Sequence, residues 1–278
     1  MATPTSGTIS INDVNSVFGR GNNLNAYRGT VWYQPNSLVT GTFSAGTISL
    51  SNFYNKQPND PATTGSATYS SPGTTSFTAP LYRNSLTIYV WGGGGGGGGY
   101  GNSPGSSYAD GSQYGDTGGT SVFYGPNTLI GYGGTGGQTA GTYRYGGLAF
   151  GAGGTGGSAS GGSTNTSGDN GTDGNVGCIG GASPNGGAAT AYLSTQSAGY
   201  AGNFQGGGGG GMLYSLGGSF PAASGGGGGG GFSAIGYGPG GLTAGGVYTV
   251  VVGAGGAGGP NNIPGGNGAN GEIYIVWS

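Results

Sequence analysis

Large apolar residues in this chain fall into short alternating runs, separated by long stretches with almost no large side chains. In "FTAPLYRNSLTIYVW" (77–91), Leu86, Ile88 and Val90 point one way and Thr87, Tyr89 and Trp91 the other, which is the period of a β-strand. "VYTVVVG" (247–253) and "EIYIVW" (272–277) read the same way. These three strands bracket residues 92–271, and pairing among them is expected to close that region at one end. Near the start, "GTISIND" (7–13) and "GTISLSN" (46–52) form an imperfect repeat. Ile9 and Ile11, and again Ile48 and Leu50, alternate in a way that predicts a short strand, followed by a residue able to cap a helix. Asn12 or Asp13 is expected to start a helical turn that ends at Gly19. Two copies are too few for a solenoid, which needs about three repeats.

Composition changes this picture. Of 278 residues, 78 are glycine and 13 proline, a bias that ordinarily signals low-complexity chain. Disorder, however, goes with high charge and few aromatics, whereas 4% of this chain is charged and 11% aromatic. A net charge of -2 supplies little self-repulsion, so a compact state is favoured. The cations Arg20, Arg28, Lys56, Arg83 and Arg144 are scattered, and no basic stripe exists to neutralise phosphates, which argues against nucleic acid as a partner. No apolar run of about 18 residues predicts membrane insertion, and "MATPTSGTIS" lacks the features of a secretory signal. Cys178 is the single cysteine and reads as a small buried hydrophobe. The absence of histidine removes the usual general base and the commonest transition-metal ligand, so a non-enzymatic role is expected, with no cofactor and no metal.

The glycines themselves are ordered. All-glycine runs occupy 92–99, 206–211 and 225–231, and elsewhere glycine recurs every third residue: Gly168, Gly171, Gly174, Gly177 and Gly180; Gly253, Gly256 and Gly259; Gly265, Gly268 and Gly271. Three residues per turn is the period of the polyproline II helix, whose backbone donors and acceptors all point sideways. Where glycine faces every neighbour, backbones approach closely enough to pair, and lateral hydrogen bonds offset glycine's large ordering entropy. The Gly-x-x register breaks too often for collagen. The expected fold is therefore mostly irregular and all-β: a small β-containing N-terminal attachment domain (1–60), a linker or extended arm (61–84), and a polyglycine II bundle (85–278) bracketed by short antiparallel strands.

Between the glycine segments lie stretches rich in Tyr, Ser, Gly and Asn, a composition suited to binding surfaces because tyrosine buries much area at low rotamer cost. Candidate receptor-binding residues are Tyr100, Tyr108, Tyr143, Arg144, Tyr145, Phe204, Tyr214, Phe220 and Phe232. The competing reading is that such aromatics cover the flanks of the bundle. For attachment at the N-terminal region the candidates are Ile9, Ile11, Ile48, Leu50, Phe53 and Tyr54. "DNGTDGN" (169–175) faintly resembles a calcium loop, with Gly171 where an oxygen ligand is wanted and no glutamate at the twelfth position. The many G-x-G-x-x-G matches carry no weight at this glycine density.

Taken together, "LTIYVWGGGGGGGGYG", "YTVVVGAGGAGG", "GGNGANGEIYIVW" and "GTISLSNFY" resemble glycine-rich bacteriophage tail proteins, and the alternation of glycine motifs with variable stretches is similar to the receptor-binding adhesins at the tips of T-even-like long tail fibres. The resemblance implies a virion component made in the host cytoplasm without a signal peptide. Its N-terminal region would dock on a trimeric fibre or another tail protein, and its connections between glycine motifs would recognise an outer-membrane protein or a surface glycan. The alternative is a purely structural tail or fibre protein without receptor contact. The short N-terminal region with its tail-type repeat also fits a tail or short-fibre position rather than a long-fibre tip.

Overall fold

A computed structural model describes residues 2–99, 114–139, 150–174, 178–184, 198–203, 205–216, 220–260 and 263–278. The described residues are mostly β, in antiparallel sheets, with few helices.

The N-terminal part is built on the repeated "TIS" motif, but as helix caps rather than strands. Ser10 is the N-cap of α1 (Ile11–Phe18), and its own N–H donates to Asp13 Oδ2 at 2.7 Å while its hydroxyl accepts from the Asp13 N–H. Those hydrogen bonds hold the Asp13 carboxyl below its ordinary range. In the second copy the Ser49 N–H donates to Asn52 Oδ1 at 2.7 Å ahead of a 3-10 helix, Leu50–Phe53. Each copy is a capping box whose preceding isoleucine packs with the fourth helical position, Ile9 with Val14 and Ile48 with Phe53, in one buried cluster. The expected strands are absent because Ile9 precedes the cap and Ile11 opens the helix, a spacing of two that mimics strand alternation. Gly19 closes α1 in the left-handed conformation at φ 67°, as the sequence predicts. Tyr27, Phe43 and Phe53 complete the core, with Phe53 lying 4.2 Å from Phe43 and 5.3 Å from Tyr27 between ring centroids. A hairpin of β1 (Val31–Tyr33) and β2 (Thr40–Thr42) flanks it.

Next comes a sandwich of two five-stranded sheets. One is ordered β3 (Gly65–Tyr69), β14 (Glu272–Trp277), β5 (Leu86–Trp91), β12 (Phe232–Tyr237), β9 (Thr164–Thr166). The other is ordered β4 (Gly73–Thr78), β13 (Val247–Val252), β6 (Ser121–Tyr124), β7 (Thr128–Gly131), β8 (Ala159–Ser160). Leu86, Ile88, Val90, Phe123, Leu129, Val250, Ile273 and Ile275 fill the space between. Two expectations change here. Residues 61–84, expected as a linker, supply edge strands β3 and β4 to opposite sheets, because Ala67, Tyr69 and Phe77 give otherwise Ser/Thr-rich segments one apolar face. And of the three bracketing strands only β5 and β14 pair, while β13 faces them across the core. Arg83 ties the sandwich to the N-terminal part: its Nε and Nη2 each donate to Asp60 at 2.6 Å, and its guanidinium lies 5.7 Å from the Tyr33 ring.

Beyond the sandwich lie the glycine segments, which belong to no sheet or helix. Segment 92–99 is fully buried, and its amides point in three directions with a period of three. Gly92, Gly95 and Gly98 donate to the carbonyls of Gly231, Gly228 and Gly225; Gly93 and Gly96 to those of Gly119 and Asp116; Gly94 and Gly97 to those of Ala269 and Gly266. Its carbonyls accept from three further segments, through Gly134 and Gly137, Gly256 and Gly259, and Gly209. Those six neighbours also bond to one another in a closed ring, so 92–99 sits at the centre of a hexagon. Segment 225–231 is the centre of a second, overlapping hexagon. The hydrogen bonds arrange the whole as stacked layers: 115–119, 132–138 and 151–158; then 253–259, 92–99, 225–231 and 168–174; then 265–271, 206–211 and 178–183, with 198–203 beyond.

Close approach requires glycine at these positions. A Cβ placed on Gly96 would lie 1.9 Å from the Ala257 carbonyl oxygen, and one on Gly97 2.0 Å from that of Gly210. In the outer segments this demand is relaxed at every third residue, and there the side chains stand outward: Tyr132, Thr135 and Gln138 are exposed while Gly134 and Gly137 are buried. Outer amides without a backbone acceptor are met by side chains. Gly153 and Gly156 donate to Asp173 and Asn170, and Gly255 and Gly258 to Asn270 and Asn267, at 2.8 to 3.0 Å.

Candidate functional site

Chain direction decides which connections share an end. Segment 92–99 leaves β5 and runs away from the sandwich; 115–119 runs back into β6; 132–138 runs out from β7; 151–158 returns to β8. Segment 168–174 runs out from β9, 225–231 returns to β12, 253–259 runs out from β13 and 265–271 returns to β14. The described residues flanking 100–113, 140–149 and 175–177 therefore all lie at the end away from the sandwich, and so does the hairpin of β10 (Leu213–Leu216) and β11 (Phe220–Ala223) between segments 206–211 and 225–231.

The footing of this distal end is tight. Met212 is buried, its N–H donates to Ser224 Oγ at 2.8 Å, and the Ser224 hydroxyl donates to the Gly98 carbonyl at 2.5 Å. Ala223 also forms a parallel bridge with Phe150 and accepts from the Gly151 N–H. The hairpin thus rises from the same backbone network as the central segment. Among the described residues, three aromatic side chains are exposed at or near this end: Tyr114 (48%), Phe150 (37%) and Tyr200 (49%). None of the three is among the receptor-binding residues that the sequence predicts. Each sits where a Tyr-rich stretch meets a Gly-x-x register, and that boundary was the available signal.

Of the residues expected to contact a receptor, Tyr100, Tyr108, Tyr143, Arg144, Tyr145 and Phe204 lie outside the described residues. Tyr214 and Phe220 fall on the two strands of the distal hairpin. Phe232 is a correction: it lies at the opposite end, on β12, 6% exposed and packed 5.0 Å from Trp91. The run of glycines before it marks a segment returning to the sandwich, a direction that composition does not reveal. Three of the attachment candidates, Ile9, Ile48 and Phe53, are corrected as well, being buried. They form the core of the N-terminal unit, while Ile11, Leu50 and Tyr54 pack half-buried against that core and keep part of their surface outward.

Burial pushes the Cys178 thiol up to about 11, and its S–H faces the Gly174 carbonyl, so it is an unreactive packing residue. Within "DNGTDG", the Asp173 and Asn170 oxygens are occupied by backbone amides of the neighbouring segment, and among the described residues no cluster of metal-ligating side chains occurs. Among the described residues, too, no helix is long and apolar enough to cross a membrane. No known protein family, no curated protein and no solved structure matches this chain.

Proposed function

We propose that the glycine segments form a polyglycine II sandwich and that the protein is a bacteriophage tail adhesin or tail-fibre component, which binds a bacterial surface receptor through the aromatic-rich connections at the distal end. The period-three alternation of donor directions is what a helix of three residues per turn generates, and each all-glycine run has partners around it. The observation that carries the functional reading is chain direction: the stretches richest in Tyr, Ser and Asn leave from one end, opposite the sandwich and the N-terminal unit. Mounting such connections on a stiff network lowers the ordering cost of binding. The receptor is an outer-membrane protein or a surface glycan, and the N-terminal unit joins the tail.

The test is adsorption of phage carrying the chain with residues 101–112 replaced by Gly-Ser of equal length. Assembled virions that no longer adsorb support the reading. Assembled virions that adsorb normally overturn it in favour of a purely structural tail protein.

A further inference from the structure

A cavity of about 470 Å³ opens on the flank at the sandwich end, far from the distal hairpin. Ser70, Asn203, Gln205, Asn270 and Glu272 line it, together with the bare backbone of Gly202, Gly268 and Gly271. It forms where segments 198–203 and 265–271 both reach the sandwich and meet the turn that joins β3 to β4. The backbone frame is fixed: the Gly206 N–H donates to the Asn270 carbonyl at 3.0 Å, and the Gly202 N–H to the Asn267 carbonyl at 2.7 Å.

The chemistry of the lining is specific. Glu272 brings an acceptor-only carboxylate, whose Oε1 accepts from Gln205 Nε2 at 3.4 Å. Asn270 has its oxygen engaged by the Gly255 N–H, which leaves its two amide hydrogens as donors. Ser70 adds a hydroxyl that serves either way. Such a set of alternating acceptors and donors matches vicinal hydroxyls, each of which gives one hydrogen bond and takes another. Among the described residues no lysine or arginine lines the cavity, so a phosphate or carboxylate ligand finds no counter-charge there, and the one carboxylate among them is too little to hold a divalent cation. Tyr274 stands two residues along β14 from Glu272 and hence on the same face of the strand, stacked on Tyr89 at 6.0 Å and 22°.

We propose that this cleft is a saccharide subsite that takes a neutral or amino hexose unit, with Glu272 accepting from a pair of adjacent hydroxyls and Asn270 and Ser70 completing the ring of contacts. The site is separate from the distal end and does not depend on the receptor reading above. Its volume is at the lower end of the range of small-ligand pockets and accommodates one or two sugar residues.

The experiment is saturation-transfer NMR on the full chain with methyl glycosides of glucose, galactose, mannose, N-acetylglucosamine and glucosamine, with inorganic phosphate as the counter-probe. At least one glycoside titrates to saturation with a Kd of about 0.1 to 10 mM. Glu272→Gln weakens that affinity at least ten-fold, and Gln205→Ala, kept as a second variant because it leaves the β14 strand untouched, weakens it by a smaller factor. Replacing residues 101–112 leaves it unchanged. The proposal is overturned if no glycoside gives transfer, if phosphate binds better than every glycoside, or if both variants bind as the parent chain does.

Discussion

The β-sandwich and the glycine segments continue one another at Trp91, Gly131, Phe232 and Val252, yet they are held by opposite means. The sandwich buries large side chains, among them Leu86, Ile88, Phe123 and Ile275, in a space that hydrophobic residues of similar shape would fill nearly as well. In the glycine segments the buried material is backbone. Each amide of 92–98 has a carbonyl partner on a neighbouring segment, and nothing larger than hydrogen fits between. A core of side chains tolerates repacking and uses hydrogen bonds only within its sheets. A core of backbones draws its stability from amide pairing and close contact, and it has no slack.

The largest effect should come from adding one methyl group to the second kind of core. Gly96→Ala places a carbon against the Ala257 carbonyl, where neither side is a movable side chain. The expected cost is at least about 3 kcal/mol, read as a lowered denaturation midpoint or loss of the folded glycine region. Thr155→Ala, on an exposed outward position one layer away, should be close to neutral. Equal tolerance at the two positions would break the comparison.

In the sandwich, deletion rather than insertion is the sensitive test. Ile275→Ala removes a fully buried side chain and should cost about 2 to 5 kcal/mol, whereas Ile275→Val should cost about 1. That graded response, measured by chemical denaturation, would contrast with the all-or-none response at Gly96.

Smaller effects mark the periphery. Asn267→Ala leaves the Gly258 N–H without its 2.8 Å acceptor, with an expected cost of about 1 kcal/mol, since water can reach the exposed edge. Ser10→Ala removes a cap in the N-terminal unit and should cost about 1 kcal/mol while leaving the glycine region unchanged. Domain-resolved hydrogen exchange distinguishes the two sites of damage.

The smallest effect concerns acid. The Arg83 guanidinium holds the Asp60 carboxyl below its ordinary 3.8, and Ser10 does the same for Asp13. Because both folded pKa values are depressed, their stabilisation is present above the ordinary value and fades as pH falls through the folded one. Both groups belong to the N-terminal unit and its junction, so mild acid, below about pH 4, should loosen that part first. The amide pairs between glycine segments do not titrate and should persist. An acid titration followed by hydrogen exchange checks the order.

Much of this architecture was written plainly in the sequence. The alternation in "SLTIYVW" and "EIYIVW" marked two strands that do pair, and Gly19 marked a helix end. The contrast between unbroken glycine runs and Gly-x-x segments also carries information about position in the bundle of segments. The runs 92–99 and 225–231 are each ringed by six segments and 206–211 is buried among five, whereas one non-glycine in three marks an outer segment with a free face. What stayed hidden had physical reasons. The "TIS" repeat concealed its capping boxes because a staple residue and the first helical residue are spaced like strand positions. The edge strands are sparse in apolar residues, with two in five in β3 (Ala67 and Tyr69) and one in six in β4 (Phe77), diluted among serines and threonines. The direction of each segment depends on how many crossings precede it, a global count that local pattern does not hold, and so Phe232 was expected at the wrong end.

The central claim is that bare backbones pair with one another in place of a side-chain core. Amide hydrogen exchange across 92–99, 206–211 and 225–231 tests it most directly. The account predicts protection in these runs equal to that of β5 and β14, with Gly93 to Gly97 among the slowest amides of the chain. Exchange of those glycines at the rate of an unstructured peptide, alongside protected sandwich strands, would contradict it.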